Sequence, residues 1–154
     1  MPVTTKTGDR GTTAIKNGRV LKNDPIIQAL GDIDECSSLI IHMQAELGLD
    51  KEPWAKIVRE LYEIAGYVSR YQAEIDLDAS IQRLEETIET KQGHYANFIY
   101  PFDDRRAAFL HYVRTVVRRA ERSLVAVHET QAIDAKVFQY INRLSDYIFV
   151  QELV

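Results

Sequence analysis

Four arginines fall within nine residues of this sequence, at positions 114–122. Each residue of an α-helix turns by about 100°, so Arg114, Arg118 and Arg122 would share an arc of roughly 80°. Guanidinium groups pair with phosphate oxygens two at a time, so such a stripe could hold an anion. It could equally be a solvated basic face stabilised by ion pairs, because Glu121 lies three residues after Arg118 and one before Arg122.

The composition predicts one soluble globular domain spanning residues 1–154, because 45% of the residues are hydrophobic and 27% are charged. The net charge of −4 argues against binding to nucleic acid or anionic membranes, so the arginines favour a small anionic ligand. The single cysteine, Cys36, excludes an internal disulfide and a cysteine-rich zinc site. No charged-then-apolar leader opens the sequence, and no apolar run approaches the ~20 residues that span a bilayer. We therefore expect a cytoplasmic protein without a membrane partner.

The segment before the first helix is predicted to be an irregular loop. Residues 4–13 carry two glycines, several threonines and two cations. Consecutive amides around glycine can form an anion-binding nest, so the loop could bind phosphate. The alternative is a flexible chain end. The spacing of a Walker A phosphate loop is absent.

Apolar residues at helical spacing predict five helices joined by short links, with no strand. We therefore expect an all-α fold, an up-and-down bundle of five helices. Asp103 or Asp104 is expected to cap the fourth helix, which ends near residue 128. The other predicted helices are 26–47, 54–71, 78–92 and 135–153. The fourth helix is expected to bury Val113, Val116, Val117, Ala120 and Leu124.

Three further patterns involve polar or aromatic residues. Asp34 and Glu35 are adjacent on the first helix, so either both are surface charges or one pairs with an arginine of the later helix. Residues 95–102 hold four aromatic side chains. These side chains could plug the core, which is the interpretation that we favour from the residues alone, or they could form the apolar wall of a ligand site. Asn142 and Asp146 lie one turn apart on the last helix.

Four segments, residues 5–13, 31–35, 114–122 and 140–149, together resemble the PduO-type ATP:cob(I)alamin adenosyltransferases. The resemblance covers almost the whole chain and implies a homotrimer with active sites between subunits. In that reaction cobalt(I) attacks the 5′ carbon of ATP and expels triphosphate, so the protein needs no general base. It needs cations to hold the leaving group and surfaces to position ATP and the reduced corrinoid.

The resemblance also implies roles for individual residues. Arg118, Glu121 and Phe98 are the expected catalytic residues: the first two orient the nucleotide, and Phe98 presses on the lower face of the corrin. Asp34 and Arg114 are expected to bridge adjacent subunits. Magnesium is expected to be carried mainly by the phosphates, without a metal site on the protein. The residues expected to bind ATP are Thr5, Lys6, Thr7, Gly8, Thr13, Lys22, Arg118, Arg119, Glu121, Arg122 and Asn142.

The sequence departs from this family after Pro101, where these enzymes usually carry two glycines and this chain has Phe102, Asp103 and Asp104. Glycines there would allow the backbone to approach the corrin ring closely. The chain also ends at Val154, without the tail that commonly follows the last helix. The alternative hypothesis is a non-catalytic trimeric relative that binds ATP or delivers a cofactor. For the enzyme, the expected partners are a flavin-type reductase and an adenosylcobalamin-dependent enzyme.

Overall fold

The computed structural model describes residues 2–91, 93 and 99–153, and in them the predicted bundle of five helices is confirmed. The second helix begins and ends about three residues earlier than predicted, and the other predicted bounds agree within two residues. The helices are α1 (Pro25–Leu47), α2 (Lys51–Val68), α3 (Asp78–Lys91), α4 (Arg105–His128) and α5 (Ala135–Glu152).

A small β-hairpin precedes the bundle, so the prediction of no strand is wrong for residues 12–21. Strands β1 (Thr12–Ile15) and β2 (Gly18–Leu21) pair antiparallel, with Ile15 opposite Gly18. Gly18 has a φ of 145°, a conformation that side chains other than glycine rarely adopt. The sequence did contain a hairpin signal, because Asn17 and Gly18 stand between short runs rich in threonine, isoleucine and valine.

Side-chain caps mark where three helices begin. Asp24 accepts a hydrogen bond from the backbone N–H of Ile26 at 2.9 Å, just before Pro25 opens α1. Of the two candidate caps for α4, Asp104 is the cap, because its carboxylate accepts from the N–H of Ala107 at 2.9 Å. Asp134 caps α5 in the same way. Each cap satisfies an amide that the helix itself leaves unpaired.

Helix α4 is the central element, because it packs against both α1 and α5. Its predicted core face is confirmed. This burial fixes the rotation of the helix and leaves the arginines at its edges. Among the described residues, no helix is long and apolar enough to cross a membrane. The five predicted core residues of α4, each at most 2% exposed, are Val113, Val116, Val117, Ala120 and Leu124.

A buried polar network joins α2, α3 and α5. Both oxygens of Glu60 accept from the guanidinium of Arg83, at 2.6 and 2.8 Å. Tyr140 and Ser80 donate their hydroxyls to the same carboxylate, at 2.6 and 2.8 Å. Burial alone would raise the pKa of Glu60, but these hydrogen bonds outweigh burial and hold the pKa below its usual value.

Candidate functional site

The first group of predicted site residues lies where α4 meets α5. Arg118 Nη1 is 3.1 Å from Glu121 Oε2 and 3.4 Å from Asn142 Oδ1. We call Arg118, Glu121 and Asn142 the Arg118 cluster. The Arg118 side chain remains 47% exposed, so its guanidinium can reach a ligand. Burial raises the pKa of the neighbouring Asp146, and the positive charges of Arg143 and Arg118 oppose that rise.

Arg122 lies one turn after Arg118 and is exposed. Its Nη1 donates to the backbone carbonyl of Arg118 at 3.3 Å. The sequence left open whether Glu121 pairs with Arg118 or with Arg122, and the structure pairs it with Arg118. The guanidinium of Arg122 therefore retains positive charge that a phosphate could neutralise.

Arg119 extends from α4 toward helix α1 and binds it. Its Nη2 donates to Glu35, and its Nε lies 3.5 Å from Asp32 Oδ1. The hydrogen bond that Arg119 donates to Glu35 raises the pKa of the guanidinium. Of the adjacent acids Asp34 and Glu35, it is Glu35 that pairs with an arginine, while Asp34 is exposed. Two nitrogens of the Arg119 guanidinium thus contact acids of α1 and hold that helix against α4.

Asp32 is a buried carboxylate that sequence reasoning missed. It accepts from the hydroxyl of Ser123 and, at 3.2 Å, from Gln28 Nε2. The neighbouring thiol of Cys36 is buried as well, and burial, with the charge of Glu35, raises its pKa to about 12. Such a thiol is not a nucleophile at neutral pH. Asp32 and Cys36 therefore contribute to the packing of α1 against α4 rather than to chemistry.

A cavity of about 350 Å³ lies between the first turn of α1 and helix α4. Arg119 and Arg122 both reach it, and Asn23, next to Lys22 in sequence, lines its other side. The cavity therefore connects the arginine helix to the end of the hairpin. Its lining residues are Asn23, Pro25, Gln28, Arg119, Arg122, Ser123 and Ala126.

The N-terminal loop brings together Gly8 and Lys22, two residues predicted to bind ATP. A Cβ atom on Gly8 would lie 3.2 Å from Lys22 Nζ, so the missing side chain lets the ammonium approach the backbone. Thr5 and Thr7 share a hydrogen bond of 3.0 Å between their hydroxyls. Thr13, in contrast, lies in β1 opposite Val20. The structure thus brings Gly8 and Lys22 together as a second group of predicted site residues.

Arg19 fixes the loop onto the hairpin, and sequence reasoning missed it. Its Nη2 donates to the carbonyl oxygens of Thr7 and Thr12, at 2.6 and 3.1 Å. Its Nε also donates to the Thr12 hydroxyl at 3.2 Å. Because Arg19 lies on β2, its position becomes predictable only once the hairpin is recognised.

Arg114 pairs within the chain with Glu152, another residue that the sequence did not single out. Arg114 Nε lies 3.1 Å from Glu152 Oε1, and His111 Nδ1 lies 3.1 Å from Glu152 Oε2. The Glu152 side chain is fully buried. The pairing of Arg114 with Asp34 of a neighbouring subunit stays a prediction.

The aromatic loop is described from residue 99 onward, so Phe98 lies outside the described residues. Tyr100 and Phe102 are 74% and 91% exposed, so the interpretation of a core plug is wrong for these two side chains. Among the described residues, no group of three or more His, Cys, Asp or Glu is arranged to hold a metal ion. Tyr100, Pro101, Phe102, Ala108 and His111 line a cavity of about 360 Å³.

Comparison with known proteins gives one consistent result. The family profile described as cobalamin adenosyltransferase matches residues 3–154. A cobalamin adenosyltransferase of Cupriavidus metallidurans is 36% identical over 96% of this chain and 84% of that protein. A corrinoid adenosyltransferase of Bacillus subtilis is 35% identical, over 97% and 83%. A variant of the PduO-type ATP:corrinoid adenosyltransferase from Lactobacillus reuteri, solved with cobalamin and ATP, matches with a TM-score of 0.89 at 28% identity, covering 98% of this chain and 89% of that chain.

Proposed function

This chain belongs to the cobalamin adenosyltransferase family, and we propose that it transfers the 5′-deoxyadenosyl group of ATP to the cobalt of a reduced corrinoid. The cobalt(I) electron pair forms the bond to the 5′ carbon, and the carbon–oxygen bond breaks as triphosphate leaves. The observation that carries this proposal is the exposed guanidinium of Arg118, held by Glu121 and Asn142 from two helices.

On the nucleotide side, the protein must hold the triphosphate of ATP in one orientation. We assign Arg118 and Arg122 to the triphosphate, because preorganised cations stabilise the charge that develops on the leaving group. Glu121 orients Arg118. A magnesium ion would be carried mainly by the phosphates, without a metal site on the protein. The other proposed ATP contacts are Thr5, Lys6, Thr7, Gly8, Thr13, Lys22, Arg119 and Asn142.

On the corrinoid side, we propose that Phe98 covers the lower face of the ring. The second candidate function is a trimeric relative that binds ATP but has lost corrinoid chemistry, and the presence of Phe102 in place of a glycine motivates it. The Phe102 side chain is 91% exposed, however, so it does not fill the space on the corrinoid side. The wall that Tyr100 and Phe102 share with His111 favours the enzyme over this relative.

The experiment that separates the two candidates is anaerobic incubation of the protein with ATP and chemically reduced cob(I)alamin. The enzyme should convert the cob(I)alamin spectrum to that of adenosylcobalamin and release triphosphate. Arg118→Ala should slow this conversion, whereas Arg59→Ala, which changes an exposed arginine on α2, should not. ATP binding without any corrinoid-dependent product would support the non-catalytic relative instead.

We further propose a homotrimer, located in the cytoplasm and served by a reductase and an adenosylcobalamin-dependent enzyme. Asp34 is exposed in the single chain. Arg114 Nε is bound to Glu152 and its Nη2 lies 3.5 Å from the His111 ring, so we assign Nη1 to the second acid. Asp34→Arg would place two cations together across the interface. We expect light scattering to report monomers for this variant.

The matched control for the assembly experiment is Glu74→Arg, which makes the same charge change at another exposed position. It should leave the trimer intact. The reciprocal variant Arg114→Asp is not a clean charge swap, because it would place a second acid beside the buried Glu152. A trimer of unchanged mass for Asp34→Arg would remove Asp34 from the interface.

A further inference from the structure

The buried carboxylate of Glu152 contacts His111 as well as Arg114, and the proposed function assigns no role to His111. Glu152 lies in the last turn of α5, and its fully buried side chain contacts His111 and Arg114, three residues apart on α4. A buried carboxylate is costly unless it is paired, so both contacts are needed to keep it there. The consequence is that His111 is held in one orientation.

The imidazole of His111 also lines the cavity formed with Tyr100, Pro101, Phe102 and Ala108. Its side chain is 34% exposed, so one edge faces the carboxylate and another is open. When a carboxylate accepts from Nδ1–H, the neutral ring carries its free lone pair on Nε2. The wall therefore combines exposed aromatic surface with a fixed hydrogen-bond acceptor.

Arg114 does not saturate that acceptor. Its Nη2 lies 3.5 Å from both His111 Nδ1 and Nε2, so it sits over the ring edge. A directed hydrogen bond would be shorter and would favour one nitrogen over the other. Arg114 is therefore at most a weak partner of Nε2, and a ligand that brings a better-directed N–H donor could replace that contact.

We propose that His111 is a corrinoid-binding residue whose Nε2 accepts a hydrogen bond from a peripheral amide of the corrin, with Glu152 as its positioning residue. This proposal rests on the proposed function. A corrin is a flat apolar macrocycle edged by amide side chains, and such a ligand matches an aromatic wall with one polar contact. The adenine amino group of ATP is the competing N–H donor, and the experiment below distinguishes the two.

The first measurement compares His111→Phe, which keeps a ring but removes both nitrogens, with the wild-type protein. We expect its KM for cob(I)alamin and its Kd for cob(II)alamin in the presence of ATP to rise about ten-fold, the effect of one lost hydrogen bond. The KM for ATP and the melting temperature should stay near the wild-type values. His42→Phe is the matched control, because His42 is an exposed histidine on α1 that contacts the Phe109 ring.

Glu152→Gln tests the positioning role, because it keeps the shape of the side chain and removes its charge. The same two corrinoid constants should rise, by less than in His111→Phe, while kcat at saturating corrinoid changes little. If Glu152→Gln does not fold, His111→Phe still decides the proposal, since its side chain is partly exposed. A change in the KM for ATP with unaltered corrinoid binding would assign the contact to adenine and overturn the proposal.

The hydrogen bond itself is tested with heptamethyl cobyrinate, a corrin whose peripheral amides are replaced by methyl esters that cannot donate. The ten-fold difference in Kd between wild type and His111→Phe should disappear with this probe, as a cycle between protein and ligand requires. A difference that persists with the esters would overturn the proposal. If the wild-type protein neither binds nor adenosylates cobalamin, the proposed function fails, a result distinct from equal binding by wild type and variant.

Discussion

Two pairs of arginine and glutamate in this molecule differ in burial and in the number of contacts that they share. Arg83 and Glu60 share two hydrogen bonds, of 2.6 and 2.8 Å, and the Glu60 side chain is only 6% exposed. Arg118 and Glu121 meet at one contact of 3.1 Å, with side chains 47% and 22% exposed. The buried pair has no hydrogen-bonding capacity left for a ligand, whereas the exposed pair can still bind one.

The difference teaches how to tell a structural ion pair from a binding one. An exposed pair contributes roughly 0–1 kcal/mol to folding, whereas breaking a buried pair costs about 3–5 kcal/mol. Glu60 also binds Tyr140 and Ser80, so nothing in that network is left to hold a ligand. The stability of the fold gains little from the Arg118 contact. The low cost of breaking that contact is consistent with the nucleotide role that we propose for Arg118.

The largest expected effect is that of Glu60→Ala. It leaves Arg83 and the Tyr140 hydroxyl without their shared acceptor, so urea unfolding should show a loss of about 3–5 kcal/mol. The ATP affinity of the folded protein should not change. Glu52→Ala is the matched control, because Glu52 pairs with Arg59 at the surface and its side chain is 58% exposed. Equal losses for the two glutamate variants would erase the distinction between the pairs.

Arg118→Ala should produce the opposite pattern. A hydrogen bond to a charged group contributes about 1.5–3 kcal/mol, so the Kd for ATP should rise roughly ten- to a hundred-fold. The melting temperature without nucleotide should barely move. Calorimetry measures the affinity, and Arg59→Ala controls for the loss of one exposed positive charge. An unchanged ATP affinity would remove Arg118 from the nucleotide site.

What could be predicted from the sequence is whatever depends on near neighbours. Apolar spacing placed the five helices, and the core face of α4 followed from it. The contact between Arg118 and Glu121 was among the pairings weighed, because residues three apart share a helix face. The hairpin was missed although Asn17 and Gly18 signalled it, since threonine and glycine were interpreted as a loop.

What could not be predicted depends on how the helices are rotated against one another. Arg119 reaches Glu35 across 84 positions, and Arg114 reaches Glu152 across 38. The sequence shows that these arginines exist but not which acid each will meet. Asp32 and Glu152 look like surface residues until the packing of α1 and α5 on α4 buries them. The partner of a buried charge is thus a property of the fold.

The smallest expected effect is produced by a change of pH, which tests the Arg83–Glu60 pair without removing either residue. The pKa of Glu60 in the folded protein lies below its usual value, so the carboxylate contributes stability above about pH 4.3, the pKa of an unperturbed glutamate. That contribution is lost as the pH falls through the lower folded pKa. We expect the unfolding free energies of wild type and Glu60→Gln, measured between pH 7 and pH 3, to converge at the acid end.

The difference between the two unfolding free energies is the quantity to follow, because it cancels the titration of the other acids, which both proteins share. The convergence should be partial, because a protonated Glu60 still fills its site and can still accept from the Tyr140 hydroxyl. A gap that stays constant down to pH 3 would mean that Arg83 and Glu60 stabilise the fold by shape rather than by charge.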